Sequence, residues 1–350
     1  MPAEDSTPKF PPPGSGSDPI VIWGAGAVGG CIGAWLIRAG MDVLFVDTDA
    51  AHAEAIRAHG LRIVGPVDEF RVPASCVHPE DVTPGLGLIL LAVKAHHTED
   101  ALAVIAPLLA DDGFVVSVQN GLNEVVIAER IGAHRTVGCF VNFGADVLEP
   151  AVIMRGNRGA VVVGELDGAR SQRVVAVHEL LRVFEPDTVL TSHIWGYLWG
   201  KLAYGSMLFA TALTDASIAD VLDSVRHRPL LIGLAREAMA VAAARGVSPE
   251  PFDGFDPSAF APGATDATAQ ESLDRLVRFN RGSAKSHSGV WRDLAVRKRQ
   301  TEVDAQIAPI VALGAEVGIA TPLTGRLVEL IHDVEQGRRA QSWETLDALR

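Results

Sequence analysis

The sequence predicts an α/β protein in two parts, a parallel sheet covered by helices on both faces followed by an all-helical domain. Three observations carry this. Short apolar runs alternate with helical spacing from Ile20 onward, a glycine-rich turn follows the first of those runs directly, and strand-like runs almost vanish beyond Ser192.

The elements follow in order. Residues 1–18 hold Pro2, Pro8, Pro11, Pro12, Pro13, Gly14 and Gly16 without the apolar core of a signal peptide, so a flexible tail is expected there. Ile20–Trp23, a helix from about Ala27, Val43–Val46 and a helix from about Asp49 form a βαβ pattern. A short hairpin is expected at Leu61–Val64 and Phe70–Val72. Beyond it come the buried run Leu88–Val93, a helix over His97–Ala110 and a strand at Phe114–Val118. Runs that stay apolar without alternation suit parallel strands buried on both faces. Val137–Val141 and Ala160–Val163 are expected as antiparallel additions, and the first domain, 19–191, ends near Thr191.

The second domain, 192–350, is rich in Ala, Leu and Arg. Leu230, Leu234, Ala238 and Val241 share one helix face. The stretch Pro249–Gly263, with its prolines and glycines, is expected as an ordered loop between helices.

Composition narrows the function. Among 350 residues, 30 Lys and Arg face 43 Asp and Glu, a net charge of −13 that offers no field to gather nucleic-acid or lipid phosphates. The longest nearly unbroken apolar stretch, Leu86–Val93, is far short of the roughly 20 residues of a membrane helix. Cys31, Cys76 and Cys139 are odd in number and widely spaced, which suits neither a disulfide framework nor a metal cluster and fits a reducing cytoplasm. A small soluble ligand is the expected partner, with no nucleic acid, membrane or metal.

The glycine turn says which ligand. Gly24, Ala25, Gly26, Ala27, Val28 and Gly29 lie between an apolar strand and a helix, the setting of a Rossmann-type dinucleotide-binding fingerprint. The first glycine permits the tight turn, the second lets a pyrophosphate approach, and the third lets helix pack on strand; the helix N-terminus offers free N–H groups. Asp47 ends the next apolar run 23 residues after Gly24, where a carboxylate accepts hydrogen bonds from the adenosine ribose and repels a 2′-phosphate. It favours NADH over NADPH in that role; its alternative is a solvated turn residue.

Further pieces follow in order: Val93-Lys94-Ala95, Val118-Gln119-Asn120-Gly121, Trp199-Gly200-Lys201-Leu202, Thr301-Glu302-Val303-Asp304 and Gly318-Ile319-Ala320-Thr321-Pro322. With the glycine turn they resemble the ketopantoate reductase (2-dehydropantoate 2-reductase) family over about residues 20–330. The resemblance implies a Rossmann domain joined to a helical substrate and dimerisation domain, a cleft site between them, NADPH as the family cofactor, and a homodimer. It implies that Lys201 is the catalytic proton donor to a carbonyl oxygen, that Lys94 and Asn120 face nicotinamide and substrate, and that Glu302 accepts a hydrogen bond from a substrate hydroxyl. The alternatives are a surface lysine at 201, a snorkelling lysine at 94, an Asn-Gly turn former at 120 and a helix N-terminal acid at 302. Trp195, Tyr197, Trp199 and Tyr204 give Lys201 an aromatic neighbourhood in a chain with 6% aromatics.

The departures from the family matter too. Asparagines expected four and eight residues beyond the catalytic lysine are replaced by Gly205 and Phe209, and Ala284–Arg299 is only loosely like the family's serine-containing stretch. Lost amide hydrogen-bonders, with Phe209, Trp291 and His287 gained and Ser288 beside them, point to a bulkier or more aromatic substrate. Arg292, Arg297, Lys298 and Arg299 read as a carboxylate clamp or as a solvated helix face. His287 reads as a carbonyl polariser or as a structural hydrogen-bonder. The expected function is NAD(P)H-dependent hydride transfer at the carbonyl or alcohol carbon of a 2-oxo acid or related ketone. Its rivals are 2-dehydropantoate reduction with NADPH and a non-catalytic dinucleotide sensor.

Overall fold

The computed structural model describes residues 19–282 and 286–350; the expected N-terminal tail and the first residues of the serine-containing stretch lie outside them. In the first half, β1 (Ile20–Trp23), α1 (Ala27–Arg38), β2 (Val43–Val46) and α2 (Ala50–His59) precede a hairpin, β3 (Leu61–Val64) and β4 (Phe70–Val72). Next come β5 (Ser75–Val77), β6 (Leu86–Leu91), α3 (Thr98–Ile105), β7 (Leu109–Ser117) and α4 (Asn123–Ile131). Then follow β8 (Thr136–Val141), β9 (Gly144–Glu149), β10 (Val152–Asn157), β11 (Val161–Glu165), α5 (Gln172–Phe184) and β12 (Val189–Leu190).

The main sheet runs β12-β11-β8-β7-β6-β1-β2-β5, and every neighbouring pair is parallel except β8 with β11. All four residues of β1 are buried, as a strand covered on both faces requires. Because β1 lies between β2 and β6, the strand order reverses beside it, and a crevice opens at the carboxyl ends of β1 and β6.

Two expectations are corrected, and one pairing goes beyond them. The helix predicted over His97–Ala110 ends at Ile105: Pro107 lacks an N–H, a single 3-10 turn spans Ala106–Leu108, and β7 begins at Leu109. The strand around Val137–Val141 runs parallel to β7, so β11 supplies the antiparallel addition. A second sheet, β4-β3-β10-β9, joins the expected hairpin to a later one, a pairing between segments about 90 residues apart that local patterning does not encode.

The second half is helical: α6 (Ile194–Thr211), α7 (Ile218–Asp223), α8 (Arg228–Ala244), α9 (Asp266–Arg281) and α10 (Gly289–Arg292). A π-helical turn at Asp293–Arg297 leads on to α11 (Val303–Gln306), α12 (Ala308–Glu316), α13 (Pro322–Glu335) and α14 (Trp343–Asp347). The loop between α8 and α9 is ordered, held by the packed rings of Phe252, Phe255 and Phe260. The helical core continues into the sheet, since Phe140 of β8 and Val162 of β11 pack in one buried cluster with Leu198, Trp199 and Leu231. Helix α6 is thereby fixed against the sheet beside the carboxyl ends of β7 and β8. Among the described residues no helix is long and apolar enough to cross a membrane.

Candidate active site

The glycine turn is shaped by contact. Gly24 has φ +106, and a Cβ there would lie 2.8 Å from the Ala92 carbonyl carbon and the Val93 nitrogen, at the end of β6. A Cβ on Gly29 would sit 2.1 Å from the Gly24 oxygen and 2.8 Å from Ala92 Cβ, so helix and strand meet closely there. At Gly26 a Cβ would meet nothing within 4 Å, and no side chain caps α1. Open space thus faces an uncapped helix N-terminus, a cradle a pyrophosphate fits and a side chain would fill. Ala27 and Val28 are half-buried on its first turn, while Ala25 is buried.

Asp47 is oriented by backbone on both sides: Oδ2 accepts the Ala25 N–H at 2.7 Å and Oδ1 the Asp49 N–H at 2.9 Å. A carboxylate has about four acceptor positions, so capacity remains for ribose hydroxyls. The N–H groups of Ala51 and His52 at the start of α2 are taken by Asp49, which leaves Asp47 free of the capping role.

The structure brings Lys201, Asn120, Lys94 and Glu302 to the sheet's carboxyl edge. Lys201, on α6, donates to Asn120 Oδ1 at 2.7 Å and to the carbonyl of Val141, the last residue of β8. Its ammonium lies 5.1 Å from the centroid of the Phe140 ring. An ammonium has three N–H donors, so one is left over. Burial pulls Lys201 down to about 8, against the opposing charges of Glu124, Glu302 and Asp253. Asn120 stands in an Asn-Gly turn, where Gly121 has φ +100, as its turn-former alternative expects, and its side chain holds the lysine.

Glu302 reaches across to the sheet domain, where Oε1 accepts the Ala95 N–H at 2.9 Å just beyond β6. It does stand at the N-terminus of α11, as the alternative expects, but its side chain makes no capping bond there. Lys94 Nζ lies 3.3 Å from Asp293 Oδ2 in the π-helical turn. Gln119 ties the same strand ends together through the Val93 carbonyl and the Thr98 hydroxyl, each at 2.8 Å.

Other candidates fall elsewhere. The basic run is solvated, as its second reading expects, but ion-paired rather than a free clamp: Arg297 pairs with Asp146 and Asp293, Arg299 with Asp293 at 2.8 Å, and Arg292 with Asp146 at 3.5 Å, while Arg297, Lys298 and Arg299 stay exposed. Lys298 is exposed at φ +47. The reason is tertiary, since Asp146 on β9 lies about 150 residues away in sequence. His287 takes its structural alternative, with its ring nitrogens 2.8 Å from Ser286 Oγ and 3.2 Å from the Asp215 carbonyl oxygen. Its ring rests on Trp291 at 4.0 Å between centroids. Ser288 caps α10 by accepting the Trp291 N–H at 3.1 Å. Phe209 is buried in the helical core. Eight residues beyond Lys201 it is turned about 80° around the helix, so of the two departures Gly205 lies nearer the lysine's face.

Two acids near Lys201 escape a sequence reading. Glu124 is fully buried in the first turn of α4, where burial pushes its carboxyl up to about 7. Asp253, at φ +43 in the α8–α9 loop, accepts from Asn142 Nδ2 at 2.6 Å and the Ala160 N–H at 3.1 Å. An acidic residue four positions after Asn120, in the first turn of a helix and followed by Val125, Val126 and Ile127, was the available signal for the first. Nothing local marks the second.

Fold and site together define a two-domain, nicotinamide-dependent oxidoreductase. The family model "Ketopantoate reductase PanE/ApbA" matches residues 20–168, and its C-terminal counterpart matches residues 193–335. The chain belongs to this ketopantoate reductase family. A 2-dehydropantoate 2-reductase from Mesorhizobium japonicum is 30% identical over 345 residues, 91% of this chain and 98% of the relative. One from Halobacterium salinarum is 25% identical over 316 residues, covering 89% and 97%. Among solved structures, a ternary complex of D-mandelate dehydrogenase with NADH and anilino(oxo)acetate superposes with a TM-score of 0.79 at 22% identity, covering 91% of this chain and 98% of that one. A PanE/ApbA family ketopantoate reductase from Ralstonia eutropha gives 0.75 at 23%, covering 91% and 99%. At these identities the structural likeness establishes the fold.

Proposed function

We propose that this protein reduces the carbonyl of a 2-oxo acid or related bulkier ketone, reversibly, with Lys201 as proton donor. The observation that carries this reading is the placement of the Lys201 ammonium, anchored by Asn120 and the Val141 carbonyl with one N–H left over. A nicotinamide dinucleotide, when bound, supplies the hydride. Lys201 holds the carbonyl oxygen, steadies the developing alkoxide and gives up a proton, which its depressed pKa favours. In the reverse direction the neutral amine is the base. Glu302, held through one oxygen by Ala95, presents the other as an acceptor for a substrate hydroxyl. A non-catalytic sensor has no use for a desolvated lysine in this position. The three buried free cysteines suit the cytoplasm proposed as its compartment, and a homodimer is the assembly to test by sedimentation.

Cofactor choice follows from Asp47. NADH is expected to bind more tightly than NADPH by about 1–3 kcal/mol, because a carboxylate meets a hydroxyl in one and a phosphate in the other. Calorimetric titration checks this. Asp47→Ser should narrow the gap, and tighter NADPH binding by the wild type would reject the assignment.

Substrate choice turns on Gly205. A Cβ there would touch only Ile307 Cδ1, at 3.8 Å, so the position has room where the family carries an amide. A bulkier or aryl 2-oxo acid is expected to exceed 2-dehydropantoate in kcat/KM by roughly 10-fold or more, since a buried hydroxyl without its partner costs about 1–3 kcal/mol. Following nicotinamide absorbance across a panel of 2-oxo acids with NADH and NADPH tests the whole reading. Gly205→Asn should recover part of the 2-dehydropantoate rate. The 30%-identical relative favours the second reading, NADPH-dependent 2-dehydropantoate reduction, and efficient turnover of that substrate above all others would establish it.

A further inference from the structure

Glu124 is unexplained by the chemistry above. It lies in the first turn of α4, four residues after Asn120, the side chain that anchors Lys201, and α4 packs on β8, whose Val141 carbonyl is the other anchor. Neither of its carboxyl oxygens has a hydrogen-bond partner, and Ser117 Oγ, at the end of β7, is also buried and unpartnered. Buried polar atoms are rarely left so, and those that are call for a physical reason.

We propose that Glu124 is a positioning residue for proton transfer, its buried carboxylate serving as the counter-charge that keeps Lys201 protonated until the substrate oxygen takes the proton. This rests on the reading of Lys201 given above. The groups that act on Lys201 are Glu124 from α4, Cys139 from β8, Glu302 ahead of α11 and Asp253 from the α8–α9 loop. Burial pushes the Cys139 thiol far up, so it stays neutral. Glu302 and Asp253 are already held by backbone N–H groups. Facing Glu124 are Lys201, Cys139 and the Ser117 hydroxyl.

The charges oppose one another in a defined way. Burial raises Glu124 while its own backbone N–H at the start of α4, the nearby Ser117 hydroxyl, Lys201 and the Cys139 backbone lower it, and burial lowers Lys201 while Glu124 raises it, so the two titrations are coupled. When the Lys201 N–H bond breaks, its electrons stay on Nζ and the proton bonds to the substrate oxygen. A proton from solvent then returns to the part-buried Lys201 Nζ, the one proton the reduction consumes, and the carboxylate, enclosed away from water, favours that return and restores the pair.

The test is Glu124→Gln, which keeps the shape and removes the charge. Two quantities are followed against pH: labelling of Lys201 by trace acetic anhydride, read by mass spectrometry, and kcat/KM for ketone reduction. Without the carboxylate the ammonium is less favoured. Both the labelling midpoint and the alkaline limb of the rate should therefore move to lower pH by roughly half a unit or more, while Glu124→Asp stays closer to the wild type. An unmoved labelling midpoint overturns the proposal whatever the rates do. A midpoint that moves without the rate limb upholds the counter-charge and instead removes Lys201 as proton donor. If the Gln variant does not fold, Glu124→Ala is read in the same way: its labelling midpoint should also move to lower pH, and an unmoved midpoint overturns the proposal.

Discussion

Replacing Lys201 by methionine is expected to lower turnover by about 100-fold or more, the usual loss for a positioned general acid, with cofactor affinity little changed. Stability should respond less than to an ordinary core substitution and in a pH-dependent way. The folded-state pKa of Lys201, about 8, lies below its ordinary value of 10.5. Between those values the unfolded chain holds the proton and the native state does not. Native stability from this group therefore rises across that window, and below it the fold carries the cost of a buried ammonium. Methionine removes that cost but leaves Asn120 Oδ1 and the Val141 carbonyl without their donor, a loss of about 1–3 kcal/mol each. The two effects oppose, so at pH 7 the Tm should stay within a few degrees of the wild type. The wild type should gain on the variant as pH rises from 8 toward 10.5. Thermal melts of both proteins over that range, with stopped-flow turnover, check the two halves. Near-normal turnover would reassign the proton to Lys94 or to water.

The second large effect separates two glycines of one turn. Gly26→Val should fold normally, because its Cβ enters open space, and should weaken dinucleotide binding by about 100-fold or more, because that space is where the pyrophosphate has to sit. Gly29→Val should fail at the level of the fold. Its Cβ would fall 2.1 Å from the Gly24 oxygen and 2.8 Å from both Ala92 Cβ and Ile22 Cγ2, with backbone on one side and a packed strand on the other. Circular dichroism and fluorescence titration of NADH distinguish the outcomes. A Gly26 variant that binds normally would place the pyrophosphate elsewhere.

Much of the architecture was legible because it is local. The βαβ start could be read from four-residue apolar runs and a glycine turn, since period, turn chemistry and burial there all depend on near neighbours. The same holds for Asp47, whose place at the end of β2 follows from its position in the run. The helix expected over residues 97–110 failed at Pro107, a local signal that apolar periodicity outweighed.

Among candidate site residues, Lys201, Asn120, Lys94 and Glu302 were identifiable from residue type and order, and the sequence by itself determined that they exist in this chain. Their partners were decided by the tertiary structure alone. Lys201 meets Asn120 across 81 residues, Glu302 meets Ala95 across 207, and Asp146 and Asp293 supply the ion-pair partners of the exposed basic run. Burial, too, is a property of the packed molecule: the helix rotation that sinks Phe209 into the core and leaves Gly205 beside open space follows from how α6 seats against β8. The same packing closes over Glu124 and leaves its carboxyl unpartnered. Pattern along a chain reports what each segment favours on its own. The field and the desolvation at a buried lysine come from groups far apart in sequence, and only folding brings them within reach of one another.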